Sequence, residues 1–287
     1  MPKLSIVDAH VHLWDPDYVR IAWLDSVETL NKPYGLAEYR AHTEGFDIAA
    51  MVYVQVEAVP AYGLLEARWV ADRAREDPRI QAIVAWAPVE YGARARAYLE
   101  ALVQIDPRVK GVRRLIQTEA DLEFCLQPDF VRGVQLLAHY GLSFDLGINH
   151  RQLAAATELV RRCPKTSFIL DHLAMPDIKA GRLDPWRDEL RELAALPNVC
   201  CKISGVLSGA DHQHWTTEDL APYIAHAVAV FGENRVVFGG DWPVVLLASS
   251  YRRWCETLEA LTARLGPAAS RKLWAENARR FYRLATT

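Results

Sequence analysis

A chain of 287 residues that is 51% hydrophobic can bury a large core. Its 33 basic and 36 acidic residues leave a formal charge of -3, which argues against a polyanion-binding surface and so against nucleic acid as a partner. The five cysteines, Cys125, Cys163, Cys200, Cys201 and Cys255, have neither metal-knuckle nor paired spacing and read as reduced structural thiols. The opening MPKLSIVDAHVHLW lacks a long apolar segment with a cleavage signal, and no run reads as a membrane span. The expectation is a cytoplasmic protein.

Short apolar runs alternate with amphipathic segments along the whole length. Residues 4–11 form the first β-rich run. Residues 15–39 follow as a long aromatic excursion, either a roof over one side of a site or an ordinary packed loop. Strand-like runs then fall at 49–56, 80–87, 109–115, 142–148, 166–170, 199–203 and 235–239. Helical patterns occupy 64–75, 93–105, 128–139, 152–161, 186–195, 217–231 and 251–265, and a last helix at 268–281 closes the chain. Arg279 and Arg280 read as a solvated helix end. Eight strands, each followed by a helical segment, predict an α/β protein with a parallel sheet covered by helices. Closure into a single (β/α)8 TIM barrel over residues 1–287 is the simplest layout. A doubly wound sheet is the alternative, but no Gly-rich loop follows the first strand.

The first strand ends in Asp8-Ala9-His10-Val11-His12. Strand periodicity of two would put Asp8, His10 and His12 on one face and Val7, Ala9 and Val11 on the other. Two imidazoles at this spacing can converge on one metal ion or one anionic oxygen, with Asp8 orienting a ring from behind. A pair of hydrogen-bonded structural histidines is the plainer alternative. The sixth strand ends FILDHLAMP. There periodicity points Asp171 and His172 apart, unless the strand has already ended. The eighth reads VVFGGDWPV, and Gly239 and Gly240 permit close backbone approach or unusual torsions before Asp241. In a barrel all these strand ends open on one face, where active sites gather, and closure brings the eighth strand beside the first. His10, His12, His172 and Asp241 are therefore the candidate catalytic and metal-binding set, suited to activating water for attack on a carbonyl.

Other strand ends and the first loop supply candidates for substrate binding. They are Trp14, Trp23, Gln55, Glu57, Trp86, either Arg113 or Arg114, His150 and Lys202. Arginine offers planar, multi-donor contacts to ester or hydroxyl oxygens, and an aromatic ring can stack on a sugar.

The DAHVHLW opening and the LDHLAMP, CKISG and GGDWPV blocks together resemble the amidohydrolase superfamily, over almost the whole span from Ile6 to Phe281. Within it the chain is similar to the sugar-lactonase branch, near the L-fuconolactonases and L-rhamnonolactonases. The resemblance implies a (β/α)8 fold and hydrolysis of a cyclic ester to an aldonic acid, with Asp241 as the base and the histidines stabilising the oxyanion. It matches the histidine pair to His10 and His12, the strand-six histidine to His172 and the strand-eight aspartate to Asp241. Many superfamily members carry a carboxylated lysine after strand four. Here that strand reads KGVRRLIQ with Lys110 at its start, so at most one zinc ion is expected, held by His10 and His12 with His172 or Asp241. Neither zinc as a requirement nor an organic cofactor is implied. A decarboxylase of the same superfamily and a non-catalytic carbohydrate-binding barrel are the competing readings. The expected partner is a small sugar lactone.

Overall fold

The computed structural model describes residues 5–285, so Leu4, the first residue of the predicted first strand, lies outside the described residues. Eight strands form one sheet in sequence order: β1 (Ser5–Val11), β2 (Asp47–Val54), β3 (Ile80–Ala85), β4 (Val109–Arg113), β5 (Ser143–Leu146), β6 (Phe168–Leu170), β7 (Val199–Ile203) and β8 (Val236–Phe238). Every neighbouring pair is parallel. The last seam forms just above β8. The Asp241 N–H donates to the His10 carbonyl and the His12 N–H to the Trp242 carbonyl, each at 2.8 Å, and Val11 bridges Trp242 in parallel. The predicted (β/α)8 barrel is the observed fold.

Seven helices cover the barrel after β2 to β8: α2 (Gly63–Glu76), α3 (Arg96–Val103), α4 (Pro128–Leu137), α5 (Leu153–Arg162), α6 (Trp186–Ala194), α7 (Thr217–Phe231) and α8 (Tyr251–Leu261). The excursion after β1 contains one helix that periodicity did not reveal, α1 (Leu36–His42). Seven residues are too few to show a pattern, but Glu38 reaches back to the Gly35 N–H at 2.9 Å and caps the first turn. The predicted helix at 93–105 starts later, because a 3-10 segment with Gly92 at φ 58 precedes α3. The last predicted helix is broken into α9 (Pro267–Arg271), a π-helical turn and α10 (Asn277–Tyr282).

Strand residues alternate between two separate apolar layers. One set, including Met51, Ile83, Phe144 and Phe238, packs under the helices. The other fills the barrel: Val7, Ala9, Val52, Val84, Ile169 and Val237 join Ala278 and Tyr282 of α10, so the terminal helix plugs the floor. Across from the small residues of β1 to β3, the interior wall carries Arg113, Asp145, Asp171 and Lys202, all buried. Buried charge is costly unless paired, and these four pair with each other beneath the mouth.

Candidate active site

β1 does not keep the parity that its sequence suggests. Its pairing with β2 is irregular between Asp8 and Val11. Val7 and Ala9 face the barrel, whereas Asp8 points outward to the helices, where its carboxylate accepts from the hydroxyls of Tyr39 and Tyr251 at 2.9 Å each. After the irregularity the rings of His10 and His12 both turn inward. Asp8 thus orients no imidazole. It fixes the backbone instead, accepting the N–H groups of His10 at 3.1 Å and Gly240 at 2.7 Å, and so ties β1 to the end of β8. Burial pushes its carboxyl up to about 6 against those four hydrogen bonds.

The two glycines before Asp241 serve close packing. A Cβ on Gly239 would meet the His10 and Ser204 side chains at 2.7 and 2.9 Å, and one on Gly240 would meet Tyr251 and Asp8 at 2.4 and 2.5 Å. The unusual torsion falls on Asp241 itself, at φ 53. β6 ends at Leu170, the first residue of the LDH block, and His172, Leu173, Ala174 and Met175 follow with φ of 54, 54, 60 and 48. This left-handed turn lets Asp171 and His172 approach His10 together. Asp171 Oδ1 lies 3.5 Å from His10 Nδ1, and the His172 ring centroid lies 4.5 Å from that of His10.

Hydrogen bonding among the rings runs in one direction. His12 Nδ1 must donate to the Val54 carbonyl at 2.7 Å, which leaves its Nε2 an acceptor. His10 Nε2, 3.2 Å away, is then the donor, and His10 Nδ1 accepts from Lys202 Nζ at 3.2 Å. Lys202 also donates to Asp145 at 2.6 Å and lies 3.0 Å from Asp171. Burial, reinforced by the Lys202 charge, holds His10 well below the ordinary imidazole range. Burial lowers His12 as well, against its contact with Asp241. Burial alone would raise the Asp171 carboxyl, but the Lys202 ammonium holds it well below the carboxylate range. Asp145, buried and bonded to both Lys202 and the Tyr282 hydroxyl, is pushed up to about 6.

His10 Nε2, His12 Nε2 and Asp241 Oδ1 form a triangle with sides of 3.2, 3.5 and 3.7 Å. Such a triangle leaves a point about 2.0 Å from each corner, the usual distance of zinc to nitrogen or oxygen. The residues therefore fit one divalent ion, with His172 Nε2 4.0 Å from Asp241 Oδ1 as a further donor. With an ion present, His10 would carry its proton on Nδ1, facing Asp171. A second ion on Asp171 and His172 does not fit. Lys202 stands against Asp171 Oδ1, and Arg113 against Asp171 Oδ2 at 3.2 Å, so fixed cations already fill that position.

Above this set lies a cavity of about 300 Å³ at the barrel mouth, lined in part by His12, Trp14, Trp23, Arg113, His172 and Asp241. The excursion after β1 is a roof over one side, since Trp23 comes from it and Trp14, just before it, lines the same cavity. Of the two strand-four arginines, Arg113 faces the cavity. Arg114 turns away into ion pairs with Glu90 at 3.0 Å and Glu119 at 2.7 Å. Glu57 lines the cavity and Gln55 lies buried behind it. Trp86 packs edge-to-face on Tyr98 and against Gly63, apart from the cavity residues. His150 also stands off, with Nδ1 donating to the Met175 carbonyl at 3.0 Å, and Lys202 lies beneath His10 rather than beside the cavity. Sequence reasoning missed Asp145 and Ser204. The latter sits 3.0 Å from His172 Nδ1. Asp145 carried one available signal, an acidic residue inside the apolar run LSFDLGI.

Comparison with known proteins places the chain in a family. The amidohydrolase family profile matches residues 7–284. An L-fucono-1,5-lactonase from Burkholderia multivorans is 31% identical over 300 residues, covering 97% of this chain and 96% of that protein. An L-rhamnono-gamma-lactonase from Scheffersomyces stipitis is 24% identical, covering 99% and 100%. A crystal structure of a Burkholderia multivorans amidohydrolase with bound zinc superposes with a TM-score of 0.88 at 29% identity, covering 98% of this chain and 100% of that one.

Proposed function

Because the chain belongs to the amidohydrolase family, we propose that it hydrolyses a sugar lactone to the aldonic acid, with L-fuconolactone the first substrate to try and Asp241 as the base. The observation that carries this reading is the placement of Asp241. It is 3% exposed, lines a mostly apolar cavity, and stands 3.5 Å from His12 and 4.0 Å from His172. The lactonase names of the relatives supply the ester rather than the amide.

In this scheme Asp241 takes a proton from a water molecule, and the oxygen attacks the lactone carbonyl. Arg113 and His172 face the developing oxyanion. His172 presents an Nε2–H when the Ser204 hydroxyl donates to its Nδ1. Collapse of the adduct breaks the ring C–O bond, and Asp241 returns its proton to the leaving alkoxide. A divalent ion held by His10, His12 and Asp241 would supply Lewis-acid polarisation of the reacting oxygen.

A panel of aldonolactones, run with metal-stripped and zinc-loaded protein, tests the proposal. Turnover should be best on a six-carbon or 6-deoxy aldonolactone, and elemental analysis should find no more than one tightly held ion per chain. Inactivity on the whole panel beside clear activity on an aromatic dicarboxylate lactone, or release of carbon dioxide from an aromatic acid, would overturn it. Two tightly held ions would overturn the metal assignment.

A further inference from the structure

One carboxylate in the cavity has no task in that scheme. Glu57 follows β2 and holds a left-handed backbone, φ 55, without being glycine. A strained torsion of this kind persists only where its surroundings fix it. Gln55 does so from two sides: its Oε1 accepts the Glu57 N–H, and its Nε2 donates to Glu57 Oε2 at 2.8 Å. Gln55 is itself fully buried, and its carbonyl takes Arg113 Nη2 at 2.6 Å. The carboxylate is therefore aimed. Its second oxygen, Oε1, receives no hydrogen bond from the described residues.

The surroundings make that free oxygen informative. Trp14, Trp23, Val56, Leu115, Met175 and Val244 wall the cavity. Burial pushes the Glu57 carboxyl up, and the Gln55 bond and the charges of Arg113 and Arg114 hold it back. A carboxylate oxygen beside apolar walls is costly unless a donor meets it, and among the described residues none donates to this one. Arg113 is the one cation among the cavity residues, and its Nη donors go to Asp171 and the Gln55 carbonyl. Among the side chains that line the cavity, the carboxylates of Asp241 and Glu57 outnumber the Arg113 guanidinium.

Resting on the lactonase reading above, we propose that Glu57 selects the substrate: its Oε1 accepts a ring hydroxyl of a neutral polyhydroxylated lactone, and its charge bars lactones that carry carboxylate groups. A hydroxyl donor meets the free oxygen without adding charge. An anionic ring meets like charge at Glu57, with the Arg113 donors already engaged by Asp171 and the Gln55 carbonyl.

The test compares wild type, Glu57→Gln and Glu57→Asn on three substrates, with thermal melting recorded for each protein. The substrates are L-fuconolactone, δ-hexanolactone without ring hydroxyls, and 2-pyrone-4,6-dicarboxylate. Glutamine keeps the shape without the charge, and asparagine tolerates left-handed backbone. A lost hydrogen bond to a charged group predicts a fall in kcat/KM on L-fuconolactone of about 10- to 100-fold. The same ratio on δ-hexanolactone should change by less than about threefold, since that ring never made the bond. Activity on the dicarboxylate should rise. Equal losses on both neutral lactones, or no loss on either, would overturn the proposal, as would failure of both variants to fold, which would make Glu57 a scaffold residue. Wild type inactive on δ-hexanolactone and on the whole aldonolactone panel would instead remove the lactonase reading on which the proposal rests.

Discussion

At the scale of single residues, buried carboxylates govern how this barrel responds to pH. Glu66 of α2 is buried against β2 and accepts from the Tyr53 hydroxyl at 2.7 Å and the Val56 N–H at 2.9 Å. Burial outweighs both bonds and pushes its carboxyl from 4.5 up to about 7. The folded protein thus keeps a proton on Glu66 that the unfolded chain releases. This contribution favours the fold at low pH and is lost as pH rises from about 4.5 through about 7, reaching about 3 kcal/mol at alkaline pH. Glu66→Gln removes that dependence. Its melting temperature relative to wild type should rise between pH 5 and pH 8, and a difference that stays flat or falls would contradict the assignment. The residues at the mouth were largely legible in the sequence, because His10, His12, His172 and Asp241 interrupt apolar runs at strand ends. Asp8 was misread, since an irregularity in pairing reverses parity without any mark in DAHVHLW. The floor pair of Lys202 with Asp145 was hidden for another reason: the two are remote in sequence and meet only once the barrel closes.

At the scale of elements, the turn after β6 is the most strained part of the site. Left-handed backbone costs about 1–2 kcal/mol per non-glycine residue, and four such residues run in succession at 172–175. Bonds from outside hold it: Trp186 of α6 donates Nε1–H to the Leu173 carbonyl at 2.7 Å, and His150 donates to the Met175 carbonyl at 3.0 Å. His150 is on this account a positioning residue for His172. His150→Ala should lower kcat about tenfold or more while KM moves little, because small misplacements of a reacting group are expensive. His150→Gln, with an amide N–H in reach of the same carbonyl, should recover most of the loss. A His150→Ala protein with wild-type kcat would show that the turn holds without it. LDHLAMP contains no glycine to announce positive φ, so the sequence left open whether Asp171 and His172 diverge. The early end of β6 decides that they converge.

At the scale of the whole molecule, eight apolar runs with intervening amphipathic segments sufficed to predict the barrel, since each strand buries both faces. The sealing of the floor by Tyr282 was not legible, because the predicted last helix stopped at 281 and its pattern does not tell which end of the barrel it meets. Among the described residues no helix is long and apolar enough to cross a membrane. Closure is what turns separate strand ends into one site, joining Asp241 to His10 and His12 through the seam of β8 with β1. The central claim, that this junction holds the catalytic base, is tested by Asp241→Asn. Asparagine keeps the shape but cannot accept a proton at neutral pH. We would measure kcat, bound metal and melting temperature together on the aldonolactone that wild type turns over best. We expect a fall in kcat of about 10²- to 10⁴-fold, with fold and metal content retained. A folded, normally metallated variant with near wild-type kcat would contradict it.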